Sequence, residues 1–100
     1  MIRGTTPTHT FTLPFGADVI KSVRIVYAQD GDVKITKTGD DVTGEENTIT
    51  TRLTQEDTLA LDCTKTVEIQ VRILTLGGDA LSSDIIRTNV NRCLENEVLA

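Results

Sequence analysis

Tryptophan is missing from this 100-residue chain, and one Tyr and two Phe are its only aromatic residues. A core without large rings has to be assembled from Val, Ile and Leu, the branched side chains that suit a pleated surface, and the abundance of Thr points the same way. Histidine occurs once, at His9, and cysteine twice, at Cys63 and Cys93, with no CxxC spacing. So small a stock of nucleophiles, bases and soft ligands excludes the common thiolate and imidazole metal sites. No apolar run approaches the roughly 20 residues that a spanning helix needs. The opening Met1–Pro7 goes straight into polar, turn-forming residues without the apolar region of a signal peptide. The expectation is a chain made and kept in the cytoplasm, with both thiols reduced and semi-buried. Cys63 and Cys93 flank the two arms of one expected hairpin, so a disulfide is also geometrically open to them.

Positive charge is scarce too. Ten Lys and Arg stand against 15 Asp and Glu, a net charge of -5 and a pI near 4.7. Bases such as Arg3, Lys21, Arg24, Lys34 and Lys37 are dispersed among acids and apolar residues. Phosphate binding requires clustered Lys and Arg, so nucleic acid is not an expected partner.

What is present is ordinary globular material, 38% hydrophobic and 25% charged. At this length one compact core is attainable and two are not. The whole chain, 1–100, therefore reads as a single β-sandwich domain, with 91–100 as a flexible or docking tail.

Period-two alternation is the dominant signal, in short runs separated by turn residues. Thr8–Leu13 places His9, Phe11 and Leu13 on one face. In Val19–Ala28, Val23, Ile25 and Tyr27 alternate with Ser22, Arg24 and Val26. Asp30-Gly31 marks a turn, and Val33–Thr38 returns with Val33 and Ile35 apolar. A plain two-residue loop here would pair Tyr27 with Lys34 and split the apolar sets between faces, whereas an odd loop or a bulge would pair Tyr27 with Ile35 and unite them; the latter is expected. Gly39–Asn47 is acidic and glycine-containing, and reads as a surface loop with Val42 its only branched apolar residue. Thr48–Leu53 carries Ile49 and Leu53 inward. Thr54–Asp57 reads as a turn before a short strand, Thr58–Asp62. Thr66–Leu74, with Val67, Ile69, Val71 and Ile73 alternating against Glu68, Gln70 and Arg72, should be central in its sheet. Gly77-Gly78-Asp79 then turns the chain into Ser82–Asn91, with Ile86, Thr88 and Val90 inward. About seven such strands at spacings near ten residues predict an all-β, immunoglobulin-like sandwich with antiparallel strands.

Chemistry-bearing clusters are thin. His9 stands in a Thr-rich first strand with both cysteines far along the chain, so a nucleophile and base pair would need the fold to bring them together. Asp30-Gly31-Asp32, Asp40-Asp41 and Glu45-Glu46 supply hard oxygens without the spacing of a calcium loop, and a cation would require separate loops to converge. Gly77-Gly78 is a strand-to-strand turn, so it lacks the helix N-terminus that holds phosphate. The sequence thus assigns no catalytic residue, no cofactor and no metal ligand, and a hydrolase would need a deep pocket near His9. Recognition through strand edges and surface patches remains, including strand addition at the Thr-rich first strand or docking of Val98-Leu99-Ala100. The alternative is a small adhesin-like or inhibitor module that binds carbohydrate or protein through the Asp30 and Gly39–Asn47 loops.

Three groups of residues carry a resemblance over nearly the whole chain: Ile2-Arg3-Gly4-Thr5 leading to the Thr10-Phe11-Thr12 strand, the Leu53-Thr54-Gln55-Glu56-Asp57-Thr58 turn, and Val67-Glu68-Ile69-Gln70-Val71-Arg72 before the Gly-Gly-Asp hairpin. Together they resemble small virion proteins of tailed phages and prophages from Gram-positive bacteria, and the N-terminal β-sandwich domain of phage baseplate upper proteins. The resemblance implies a non-catalytic structural subunit, often multimeric, that joins other virion proteins in a tail or baseplate. It carries over no catalytic residue. The baseplate proteins continue into a long arm and receptor-binding parts, so the expectation here is a connector or accessory piece.

Overall fold

The computed structural model describes residues 1–100. In chain order the strands are β1 (Thr8–Thr12), β2 (Ile20–Gln29), β3 (Asp32–Thr38), β4 (Val42–Glu45) and β5 (Thr48–Arg52), then β6 (Val67–Thr75), β7 (Ala80–Ser82) and β8 (Ile86–Thr88). A short helix, α1 (Gln55–Leu59), lies between β5 and β6. The small sheet has the order β1-β5-β4; the large one runs β3-β2-β6-β7, with β8 also paired to β6. All strand pairs are antiparallel. These two orders are those of an immunoglobulin-like sandwich. β1, β4 and β5 hold the places of strands B, D and E, β2 and β6 those of C and F, and β3 and β7 those of C′ and G. No strand holds the place of A. No helix is long and apolar enough to cross a membrane.

The alternation read from the sequence sets what each sheet turns inward. Ile25, Tyr27 and Ile35, Ile49 and Leu53, and Val67, Ile69, Val71 and Ile73 are all buried, and Leu13, Leu61 and Val90 complete the core. β6 is central, paired with β2 on one side and with β7 and β8 on the other.

At the β2–β3 hairpin the conflict between a two-residue loop and united apolar faces is resolved by a bulge. Asp30 (φ 49°) and Gly31 (φ 81°) form the tight turn, both in the left-handed region that Gly enters at no steric cost. Gln29 pairs with Asp32 and Ala28 with Val33, yet Tyr27 pairs with Ile35, so Lys34 is the extra residue. Ile35 is thereby buried, and Val33, expected to be apolar with it, is instead 60% exposed. Gln29 ends β2 buried, its Nε2 donating to the carbonyls of Asp62 (2.7 Å) and Lys65 (3.1 Å), and its Oε1 accepting the Asp62 N–H (2.8 Å).

Three segments depart from expectation. Gly39–Asn47 is not a free loop: a 3₁₀ turn at Gly39–Asp41 leads into β4, which pairs with β5, Val42 opposite Thr51. Local residues there favour a loop, and the ladder hydrogen bonds of β5 override them. A Cβ at Gly44 would stand 3.0 Å from the Ala17 Cβ, so glycine lets this strand approach its neighbour. The turn and strand expected over Thr54–Asp62 are the helix α1 and an irregular connection. Thr54 accepts the Asp57 N–H (3.1 Å) and the Asp57 carboxylate accepts the Thr54 N–H (2.9 Å), a reciprocal cap whose Thr-x-x-Asp spacing is visible in the sequence. Finally, the return strand Ser82–Asn91 is interrupted between β7 and β8. Leu81 and Ile86 are five positions apart where their partners Ile73 and Ile69 are four apart, so one residue is inserted. Ser83 anchors the break, its Oγ accepting the Val71 N–H at 3.0 Å and its own N–H reaching the Val71 carbonyl at 2.9 Å.

The chain ends are tied to each other at one end of the sandwich. The Met1 amine donates to the Asn89 carbonyl (2.8 Å), the Asn91 N–H to the Met1 carbonyl (2.7 Å) and the Arg3 N–H to the Asn91 carbonyl (3.0 Å). Leu99 exchanges hydrogen bonds with the Gln55 side chain, bringing the tail back against α1.

Candidate functional site

The titratable groups that the fold gathers are engaged with one another. The His9 Nδ1 lies 2.6 Å from the Tyr27 hydroxyl, with the ring centroids 5.6 Å apart. Burial, and the positive amino terminus, hold His9 below its ordinary pKa and therefore neutral near pH 7. Burial and the negative charge of Asp57 push the Tyr27 phenol well above its ordinary value, so it remains an O–H. On β3, Lys37 points inward because of the bulge, and its Nζ meets the Asp57 carboxylate at 2.7 Å. Burial pushes the Asp57 carboxyl up, but the hydrogen bonds from Lys37 and Thr54 outweigh it and the net shift is downward. This ion pair, the most buried of three, thus joins α1 to the edge of the large sheet. The inward facing of Lys37 follows from the expected bulge, since it lies two residues after Ile35; its partner Asp57, in a segment that reads as a turn, is supplied only by the fold.

Cys63 and Cys93 are both free, and Cys63 packs against the core. His9 is turned to Tyr27. The acidic loops are held apart: Asp30 follows the end of the ten-residue β2 and pairs with Lys65 (3.4 Å), whereas the Glu46 carbonyl accepts the Ala17 N–H just before that strand begins. A strand of that length spans about 30 Å. No three His, Cys, Asp or Glu side chains converge on a point. On the outer face of the large sheet, Arg24 stands directly opposite Arg72, a juxtaposition of two bases that their distance in the sequence conceals.

The unpartnered feature is the flank formed by β1, β7 and β8. β1 pairs with β5 alone, and Leu13 and Pro7 just beyond its ends are hydrogen-bonded to the β5 side, through Leu13 N–H to the Asn47 carbonyl and Leu53 N–H to the Pro7 carbonyl. Antiparallel ladders alternate, so His9 and Phe11 share that inward bonding and Thr8, Thr10 and Thr12 turn their N–H and C=O groups outward. Those outward groups have no hydrogen-bond partner within the chain. The strand Thr8-His9-Thr10-Phe11-Thr12 carries no Asp, Glu, Lys or Arg, no proline and no bulge.

The other edges are blunted by the devices that prevent chance pairing. β3 carries Asp32, Lys34 and the bulge; β4 is four residues long with Gly44 and Glu45; β7 and β8 are three residues each. Beside β1 lies a groove of about 530 Å³, walled on one side by Phe11, Leu13 and Phe15 and on the other by Ile73, Leu81 and Ile86. Leu81 and Ile86 pair with inward Ile73 and Ile69 and so face into the sandwich, yet they remain 42% and 45% exposed. Strand addition at this first strand was among the sequence expectations; the groove beside it was not, because its two walls are some 60 residues apart in the chain. Comparison with protein-family models, with curated proteins and with solved structures returns no match.

Proposed function

We propose that the chain is a non-catalytic assembly subunit of a phage or prophage particle, of tail or baseplate type, working as a multimer through contacts with other virion proteins. The observation that carries this reading is the uncharged β1 edge, with the backbone groups of Thr8, Thr10 and Thr12 unpaired beside an apolar groove. A protein with no need to be joined by a strand would be expected to blunt that edge as it blunts the others. The resemblance of the Thr10-Phe11-Thr12 strand, the Leu53–Thr58 turn and the Val67–Arg72 strand to phage virion proteins supplies the setting. The absence of catalysis is supported by the engagement of His9, Tyr27, Lys37 and Asp57 with each other. The rival module would need its acidic loops to form one surface, and β2 separates them.

Mass spectrometry of purified particles, from cells in which the surrounding prophage has been induced, tests the reading. The chain should be present at a fixed ratio to the tail proteins. Its absence from intact particles would sink it.

A further inference from the structure

We infer that the groove between β1 and β7 receives a single extended segment from a partner protein, which adds to the small sheet beside β1. The inference rests on the β1 flank being the assembly surface, and it names the form of the partner.

The two layers differ in width. The large sheet is four strands across, β3-β2-β6-β7, and the small sheet three, β1-β5-β4. At the β3 side the inward residues Ile35 and Lys37 are covered, at 5% and 8% exposure. The deficit therefore falls on the other side, where Leu81 and Ile86 have no strand above them. One more strand next to β1 would lie over both residues and would pair the outward groups of Thr8, Thr10 and Thr12.

A second folded copy docking β1 against β1 cannot supply that strand. Its own large sheet overhangs its own small sheet on the same flank, so its β7 would be driven into the space that β6 of the first copy occupies over β1. The occupant is thus a segment that brings no second layer with it. Its chemistry follows from the pleat: every second residue branched and apolar, to meet Phe11, Leu81 and Ile86, with uncharged polar residues between them to sit beside Thr8, Thr10 and Thr12. About five residues suffice to match β1.

The test uses the full chain and a synthetic nine-residue peptide copying Val67–Thr75 with Glu68→Thr, Arg72→Thr and Leu74→Thr, which gives that alternation of branched apolar and uncharged polar residues, with both peptide ends blocked. Amide hydrogen exchange by NMR should show new protection at Thr8, Thr10 and Thr12, and none added at His9 and Phe11, whose amides are already bonded to β5. A peptide of the same composition with its branched residues made adjacent should bind about tenfold more weakly, as should one methylated on alternate backbone nitrogens. On the protein side, Leu81→Ser and Thr10→Pro should each weaken binding about tenfold. Thr10 does not use its N–H within the fold; should Thr10→Pro nevertheless fail to fold, the methylated peptide makes the same test.

Several results overturn the inference: no binding at about 1 mM peptide, equal binding of the rearranged peptide, or protection on β2 in place of β1. A concentration-dependent dimer of the chain alone that protects the same three amides would overturn it too, in favour of self-pairing. Presence of the chain in particles without strand binding would defeat this inference alone, and strand binding by a chain absent from particles would defeat only the assembly reading.

Discussion

The two flanks of the sandwich are built from the same material and finished differently. On the β3–β4 flank, the 3₁₀ turn Gly39–Asp41 crosses directly from one sheet to the other, the Thr51 hydroxyl donates to the Asp41 carbonyl (2.9 Å), and α1 brings Asp57 to Lys37. On the β1–β7 flank nothing crosses between the layers along the groove, and the parallel clasp of Met1–Arg3 with Asn89–Asn91 closes one end only. Inward residues at the edge of the large sheet are buried on the first flank and half-exposed on the second. A closed flank contributes to the stability of the domain itself, and an open one holds back apolar surface and backbone hydrogen bonds that only another chain can use.

Matched substitutions should expose this asymmetry most strongly. Ile35→Ser, on the closed flank, removes a buried branched side chain and buries a hydroxyl, and should cost about 3–4 kcal/mol in urea denaturation. Leu81→Ser, its counterpart on the open flank, should change stability by about 0.5 kcal/mol or less. Equal losses at the two sites would mean that the groove is closed in solution.

The ion pair gives the next largest effect. Asp57→Ala strands the inward Lys37 ammonium and removes half of the α1 cap, and should cost about 2 kcal/mol, less than a fully buried pair because both side chains retain some solvent contact. Lys37→Met leaves the cap in place and supplies an apolar side chain of similar reach, so it should stay within about 1 kcal/mol of the parent. If Lys37→Met were the more damaging change, the pair would be holding the flank by its charge and not by its cap.

The smallest effect is in pH. His9 has a folded pKa below its ordinary 6.5, so protonation favours the unfolded chain; its contribution is full above 6.5 and is lost as the pH falls below that value toward the depressed one. Asp57 is likewise depressed from 3.8, and its contribution is full above 3.8 and lost in stronger acid. Thermal unfolding followed against pH should therefore decline in two stages. His9→Gln should remove the upper stage and leave the lower one; loss of both, or of neither, would show that His9 is not the group responsible.

Much of the core is legible in the amino-acid order. Val67, Ile69, Val71 and Ile73 alternate without a break, and a pleated strand can bury such a set in only one way. The need for a bulge after Tyr27 is legible as well, since two apolar runs joined by Asp-Gly cannot otherwise share a face. The cap at Thr54 is present in the residues but outweighed by the strand-like look of Leu59 and Leu61, of which Leu59 closes the helix and Leu61 belongs to the core connection. β4 is not legible, because Val42-Thr43-Gly44-Glu45 acquires its strand conformation from the ladder of β5. The inward facing of Lys37 follows from that same bulge after Tyr27, since it shares the face of Ile35, but its partner is hidden, because Asp57 reads as part of a turn until the fold brings α1 to β3.

By itself, then, the amino-acid order determined that branched residues every second position would stack as two antiparallel layers around an aliphatic core, because alternation is a local property that each strand carries with it. Only the tertiary structure decided that one layer would be a strand narrower than the other, and on which flank the shortfall would lie. That choice depends on pairings between segments tens of residues apart, and its physical expression is a row of threonine backbone groups left without partners beside Leu81 and Ile86.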